Sequence, residues 1–407
     1  MQLLFDKNQK SSYARHMLND ETMRQSAHET TGGPAAARTM TVGLVGAGFM
    51  GRVHALAARS AGARVAGVVA SSAARAADAQ ATVSAEQVFT SLPDLLALSG
   101  LDAVHVCVPN HLHFETALAV IEAGKHVICE KPLAVSVEQA TILVDAAVAA
   151  GVTTGVPFVY RFHPMVREMR HRVRAGNAGA IGLVHGSYLQ DWLASADDYN
   201  WRIDARSGGI SRTFADIGSH WFDLLEFVTG DPVAAVSAQF STLRPTRAVP
   251  GGGTTAVVTE DSVTVQFRTQ GGVIGSFSAA QVAAGRKNRL LLEVSGSETS
   301  YSFDQETPEE LWAGDALGHR ILVRDPATLS DGASEYAVLP SGHAQGYQDC
   351  FNSFVRDSYT AMRGGNPEGR PDFEAGLRSA FIVDAVVQSQ AEGSRWVDVG
   401  ATQAVHA

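Results

Sequence analysis

Two short stretches of this sequence hold side chains able to move a proton or steady a developing charge at neutral pH. The first, Glu130-Lys131-Pro132, closes the apolar run His126 to Cys129. An ammonium at Lys131 could stabilise an alkoxide, and the proline after it restricts the backbone and biases the lysine toward an extended conformation. The second is FADIGSHWFDLLEFV, Phe214 to Val228, an otherwise apolar segment carrying Asp216, His220 and Asp223. Spacings of four and three place these groups on one face of a helix, expected to start near Ile217, with Trp221, Leu224, Leu225 and Val228 supplying the packing face. Imidazole titrates near neutrality, so His220 suits a base that accepts a hydroxyl proton. A lysine of depressed pKa, at Lys131, is the other candidate for that proton. Asp216 would position substrate or tune its neighbours; Asp223 either orients His220 or is an ordinary helix acid. Together these groups suit the oxidation of an alcohol, given a hydride acceptor nearby.

A site for such an acceptor lies upstream. Gly46-Ala47-Gly48-Phe49-Met50-Gly51 follows the apolar run Val42–Val45 and opens a helical stretch, the context a dinucleotide-binding loop requires. Gly46 permits the tight turn, Gly48 the approach of a pyrophosphate to the backbone, and Gly51 the packing of helix on strand, while the amides and dipole of the helix start hold the phosphate charge. The next strand, Arg64–Ala70, runs into Ser71-Ser72 and Arg75 with no carboxylate where an NAD site usually carries one. Ser72 and Arg75 could hold a 2'-phosphate, so the reading is NAD(P)(H) with a lean to NADP.

Further apolar runs, Ala103–Val108 and His126–Cys129, alternate with helix-like segments, as in a doubly wound parallel sheet. Ligands collect at the carboxyl ends of such strands, and two polar clusters fall there: Pro109-Asn110-His111-Leu112-His113 and Glu130-Lys131. Gly151–Pro164, with Tyr160 and Arg161, reads as the last strand and the crossing into a second domain. Beyond it, strand-like runs at LVHGSYLQ, AAVSAQFST, SVTVQFRT, VIGSFSAAQ and LLLEVSG suggest a broad meandering sheet. The polar loop before Asp216 contains Trp192, Tyr199, Trp201 and Arg202; aromatic faces and a forked guanidinium suit the C–H faces and hydroxyls of a sugar.

The glycine loop, the Glu-Lys-Pro triplet and the Asp216-to-Asp223 stretch, in this order and spacing, resemble the Gfo/Idh/MocA family of nicotinamide-dependent oxidoreductases, over nearly the whole chain after residue 40. The resemblance implies a Rossmann domain followed by an α+β domain with a large, open, mostly antiparallel sheet, and hydride transfer on sugars or cyclitols. It implies catalytic roles for Lys131, Asp216 and His220 and a nicotinamide contact at His113. Residues expected to meet the cofactor are Gly46, Gly48, Phe49, Met50, Gly51, Ser71, Ser72, Arg75, Pro109, Asn110, His113, Glu130 and Lys131. Those expected to meet substrate are Lys131, Tyr160, Arg161, Trp201, Arg202, Asp216 and His220. The Trp201-Arg202 region is similar to members acting on monosaccharides, anhydrosugars and glycosides; the alternatives are a glycosidase using transient sugar oxidation and an inositol dehydrogenase. Expected bounds are a flexible extension over 1–39, the Rossmann domain over 40–162, a substrate-binding and oligomerisation domain over 163–372, and a C-terminal helix and tail over 373–407 that pack back on the Rossmann domain. Met40 is an alternative initiator.

With 407 residues, 45% hydrophobic and 18% charged, the chain can bury more than one core. A net charge of -10 argues against nucleic acid or an anionic membrane as partner. No apolar run is long enough to span a bilayer. The three cysteines, Cys107, Cys129 and Cys350, form no C-x-x-C pair and read as reduced, structural thiols of a cytoplasmic protein. No metal site is expected. An open sheet of this size exposes edges and a face, and a homodimer or homotetramer is expected to cover them.

Overall fold

Thr41–Val45 (β1) is buried at every position, as an apolar strand must be when helices cover both faces of its sheet. It lies between β2 (Arg64–Val69) and β4 (Ala103–Val106), with β3 (Gln87–Phe89), β5 (His126–Cys129) and β6 (Thr154–Gly155) completing the order β3-β2-β1-β4-β5-β6. All five pairings are parallel. Strand order reverses between β1 and β4, and there the carboxyl ends open a crevice. The structure, a computed structural model, describes residues 38–400; apart from residues 38 and 39, the extension expected over 1–39 lies outside them.

The second sheet has nine strands: β7 (Ile181–Leu189), β8 (Val233–Ser241), β11 (Ser262–Thr269), β12 (Ile274–Ala280), β13 (Arg289–Gly296), β14 (Ser300–Asp304), β15 (Glu310–Asp315), β16 (Gly318–Val323) and β17 (Val397–Asp398). A separate ribbon pairs β9 (Thr246–Ala248) with β10 (Thr254–Ala256). The large sheet runs β16-β15-β14-β13-β7-β12-β11-β8-β17, antiparallel throughout except where β12 lies parallel to β7. Along β11 buried and exposed residues alternate. Val263, Val265 and Phe267 thus face a core that includes Trp221, Phe222, Leu224, Leu225 and Val228, the packing face expected of that helix.

Two late helices tie the halves together. Phe373–Ala391 puts Phe373 and Leu377 into the core of the parallel sheet and Ile382, Ala385 and Val386 into that of the large sheet. Tyr347–Met362 falls inside the segment assigned by sequence to the second domain, yet its Phe351, Phe354, Val355 and Tyr359 pack with Val42, Leu44 and Val53 of the parallel-sheet layer. Among the described residues no helix is long and apolar enough to cross a membrane.

Candidate active site

The glycine loop is shaped by contacts only glycine allows. Gly46 sits at φ +97°, and a Cβ there would lie 2.5 Å from Cys107 O; a Cβ at Gly51 would lie 2.3 Å from Gly46 O. Gly48 has open space in the Cβ direction, and the helix it caps, Phe49–Ser60, has no side-chain cap on its first amides. Those free N–H groups beside an open approach fit the pyrophosphate of a dinucleotide. Gly46, Gly48, Phe49 and Met50 line a cleft of about 1300 Å³, whose walls also include Ser71, Arg75, Pro109, Asn110, His113, Glu130 and Lys131. Gly51 is buried beneath the loop, where it serves packing. Ser72, in extended backbone, lies outside the cleft wall, so the structure does not place it at the cofactor as expected. Asp78, in the helix that follows Arg75, also lines the cleft; the strand end itself, Ala70-Ser71-Ser72, carries no carboxylate, as expected.

Lys131 crosses from the parallel sheet to the second half of the molecule. Its Nζ donates to Asp216 Oδ1 and to the Asp216 carbonyl, both at 2.7 Å. Gln281 Nε2 donates to the other carboxylate oxygen at 2.8 Å, and Arg202 Nε lies 3.6 Å from Oδ1. Burial pushes the Asp216 carboxyl up, but Lys131 and Arg202 outweigh it and hold the group well below the usual carboxylate range. The helix expected from Ile217 begins instead at Ser219, after a π-helical turn over Phe214–Gly218 that carries Asp216. Such a turn displaces one side chain from the regular helical face, and here it presents Asp216 to Lys131.

His220 lines the same cleft, with its ring edge-on to Phe158 and Tyr160 at 5.7 and 5.0 Å. Its buried Nδ1 has no hydrogen-bond partner. Burial and the neighbouring Lys131 push the imidazole well below its usual pKa, against the opposing pull of Asp216. His220 is therefore neutral at pH 7 and able to accept a proton. Asp223 does not orient it. Its carboxylate pairs with Arg161 through Nη2 and, at 2.8 Å, Nε. The 3-10 turn Val159–Phe162 turns Tyr160 into the cleft and Arg161 away from it, so Arg161, expected at the substrate, is a structural cation holding Asp223.

The polar wall of the cleft was legible in the sequence only in part. Tyr160, Tyr188 and Asn288 form a closed hydrogen-bonded ring: Tyr160 and Tyr188 hydroxyls bond to each other, Tyr188 donates to Asn288 Oδ1 at 2.7 Å, and Asn288 Nδ2 donates to Tyr160 at 3.2 Å. Gln190 also donates to Asn288 Oδ1, at 2.7 Å, and accepts from Trp192 Nε1 at 2.8 Å. Antiparallel register sets this up, since Arg289 opposite Leu189 brings Asn288 beside Gln190. Amides fixed on one side by this network keep spare N–H groups for a ligand. Trp201 and Arg202 line the cleft too, with the Arg202 guanidinium 4.4 Å above the indole. The sequence foreshadowed Tyr160, Trp192, Trp201 and Arg202 of this wall, and for Tyr188 and Gln190 it offered only a period-2 spacing that puts both on one side of the strand path. Nothing marked Gln281, Lys287 or Asn288.

A bound nicotinamide would supply the hydride acceptor, and the residues present fit it: a phosphate cradle at one end of the cleft, a cation, a carboxylate and a neutral imidazole at the other. The ammonium of Lys131 can hold negative charge developing on an alcohol oxygen, Asp216 fixes that ammonium, and His220 can take the proton.

Comparison with known proteins agrees. Residues 40–158 match the oxidoreductase family with an NAD-binding Rossmann fold, and residues 166–302 match the GFO/IDH/MocA C-terminal domain. Levoglucosan dehydrogenase of Pseudarthrobacter phenanthrenivorans is 32% identical over 89% of this chain and 98% of its own. The 1,5-anhydro-D-fructose reductase of Ensifer adhaerens is 31% identical over 86% of this chain and 96% of its own. A solved levoglucosan dehydrogenase in complex with NADH and levoglucosan superposes with a TM-score of 0.83, at 31% identity, covering 89% of this chain and all of that one. The chain belongs to the Gfo/Idh/MocA family of oxidoreductases, with an NAD-binding Rossmann domain followed by the family's C-terminal domain.

Proposed function

We propose that the protein oxidises a secondary hydroxyl of an uncharged pyranose, an anhydrosugar or a close derivative, reducing a nicotinamide nucleotide, or runs the reverse reaction. The observation that carries this reading is the convergence of Lys131, Asp216 and His220 in a cleft shared by the glycine loop and the Tyr160–Tyr188–Asn288 ring. That wall offers hydroxyls, amides and indoles, the groups that recognise a sugar's hydroxyls and C–H faces. The cation at its rim, Lys287, is already paired with Asp191 at 2.6 Å, which favours uncharged over phosphorylated sugars. The two closely similar relatives act on an anhydrosugar and an anhydro-ketose by name.

The lean to NADP rested on the absence of a carboxylate after β2. That end still lacks a carboxylate, but Asp78 also lines the cleft and the similar levoglucosan dehydrogenase was solved with NADH; the nucleotide we propose as the main acceptor is therefore NAD, with Arg75 leaving some tolerance for NADP. Three unpaired cysteines, two of them buried, support a reducing, cytoplasmic setting. The outer face of the large sheet, with Leu183 and Ile274 exposed, supports a homo-oligomer. The test is absorbance at the reduced-nicotinamide band with purified protein, each nucleotide, and a panel of pyranoses, anhydrosugars, inositols and sugar phosphates. Reduction of NAD by neutral pyranoses supports the reading; turnover confined to sugar phosphates or inositols, or none at all, contradicts it.

A further inference from the structure

Behind Lys131 lies a chain of buried polar side chains that the chemistry above does not use. Glu130 Oε1 faces His54 Nε2 at 2.9 Å. His54 Nδ1 faces His105 Nδ1 at 2.9 Å, and His105 Nε2 faces the Tyr359 hydroxyl at 2.8 Å. The second carboxylate oxygen, Oε2, accepts the backbone N–H of Lys131 at 3.1 Å. His54, His105 and Tyr359 have no solvent exposure and Glu130 only 6%. They come from four separate places: the helix after the glycine loop, β4, the end of β5, and the late helix Tyr347–Met362.

Each contact needs one proton, and neutral imidazole has one donor and one acceptor nitrogen. If Tyr359 donates to His105 Nε2, then His105 carries its proton on Nδ1 and gives it to His54 Nδ1, and His54 carries its own on Nε2 and gives it to Glu130. Every contact is then made, both imidazoles are neutral, and the net charge is one negative on Glu130. The reversed chain has a proton on His54 Nδ1, with the proton of the Glu130–His54 contact on either partner; it makes Tyr359 an acceptor and strands its hydroxyl proton in a dry interior, which is costly. Burial lowers the proton affinity of His105 strongly. Burial pushes the Glu130 carboxyl up, yet the His54 hydrogen bond and the neighbouring Lys131 ammonium bring it below its usual value. The other titratable groups beside Glu130, namely Cys107, Cys129 and Tyr347, are all raised by burial and so remain uncharged. A metal cage is not the explanation: among the described residues no group of three or more His, Cys, Asp or Glu could hold an ion.

We infer that Tyr359, His105 and His54 form a one-way donor chain that keeps Glu130 ionised at the cleft wall, so that the site favours the positively charged oxidised nicotinamide over the neutral reduced form. The second half of this rests on the reading that the cleft holds a nicotinamide nucleotide. His54, His105 and Tyr359 are positioning residues, acting through Glu130, which lines the cleft beside Lys131.

The test has two readouts, neither of them turnover. In histidine-selective ¹⁵N NMR of the full-length protein, His54 should carry a single proton on Nε2 and His105 a single proton on Nδ1; a doubly protonated His54 overturns the inference. Fluorescence titration with NAD⁺ and NADH then gives the ratio of their dissociation constants. His54→Leu should weaken NAD⁺ relative to NADH by about tenfold, the effect of losing one hydrogen bond to a charged group. His54→Gln, whose amide can donate to Glu130 and accept from His105, should restore the ratio to within about threefold. Tyr359→Phe should weaken NAD⁺ relative to NADH by roughly two- to threefold, and it decides the matter if His54→Leu does not fold. An unchanged ratio in folded His54→Leu or Tyr359→Phe overturns the inference. If the unaltered protein binds neither nucleotide, the proposed function fails and the charge preference with it, while the imidazole tautomers still decide the donor chain.

Discussion

The two ends of the cleft recognise their ligands by different means. At the nucleotide end, recognition is built from backbone: Gly46 at positive φ, open space over Gly48, and uncapped amides at the start of Phe49–Ser60. At the opposite end it is built from side chains brought together from β7, the loop at Trp201, the Phe214–Gly218 turn and Asn288. Backbone recognition constrains residue type within a few consecutive positions. Side-chain recognition can be assembled from any part of the fold that register brings close. The first end should therefore fail when space is filled, and the second when single polar groups are removed.

Four changes probe that contrast. His220→Gln at the side-chain end should lower kcat by about a thousandfold, within the usual range for a general base, with NAD affinity preserved by titration. Because burial and Lys131 hold His220 well below pH 6.5, it accepts a proton across the neutral range and is blocked only once acid protonates it. The kcat/KM for sugar oxidation should accordingly lose activity from this group only well below pH 6.5. Gly48→Val should leave the melting temperature close to that of the parent, since nothing lies within 4 Å of the added Cβ. It should still weaken dinucleotide binding by roughly tenfold or more, by occupying the approach to the amides. Asn288→Ala should raise KM for sugar about tenfold, the cost of unpairing a buried polar cluster, with the nucleotide dissociation constant unchanged. Asp223→Ala should have the smallest effect on the chemistry, although it leaves the half-buried Arg161 guanidinium with only the Gly369 carbonyl and should cost about 2 kcal/mol in denaturant unfolding.

The same contrast explains what could be read from the sequence. The parallel sheet was legible apart from β3, whose three residues Gln87–Phe89 are too few to show a pattern, because its other strands are short apolar runs closed by small, glycine, proline or charged residues, and each motif is contiguous. The strands β7, β8, β11, β12 and β13 were legible from alternation. The strands β14 to β16, over residues 300–323, were missed, since SYSFDQETPEELWAGDALGHRILV is polar and lies toward the sheet edge. Lys131, Asp216 and His220 were identified by type and spacing, and the structure brings them together. Arg161 was misassigned and Asp223 left open, because an ion pair and a catalytic pair use the same residue types, and only the direction of the Val159–Phe162 turn separates them. Asp78, Gln281, Asn288 and the His54–His105–Tyr359 chain gave no signal, because long-range contacts such as that between His105 and Tyr359, 254 positions apart, leave no local pattern.

The central claim is that an ammonium from the first half of the chain and an imidazole from the second act on one reacting carbon. Single-turnover hydride transfer in Lys131→Met, His220→Gln and the double variant, each saturated with NAD and a pyranose substrate, tests it most directly. Groups that serve the same transition state are non-additive, so the double variant should be about as slow as the slower single variant. Losses that multiply would show the two groups acting independently and would contradict the account.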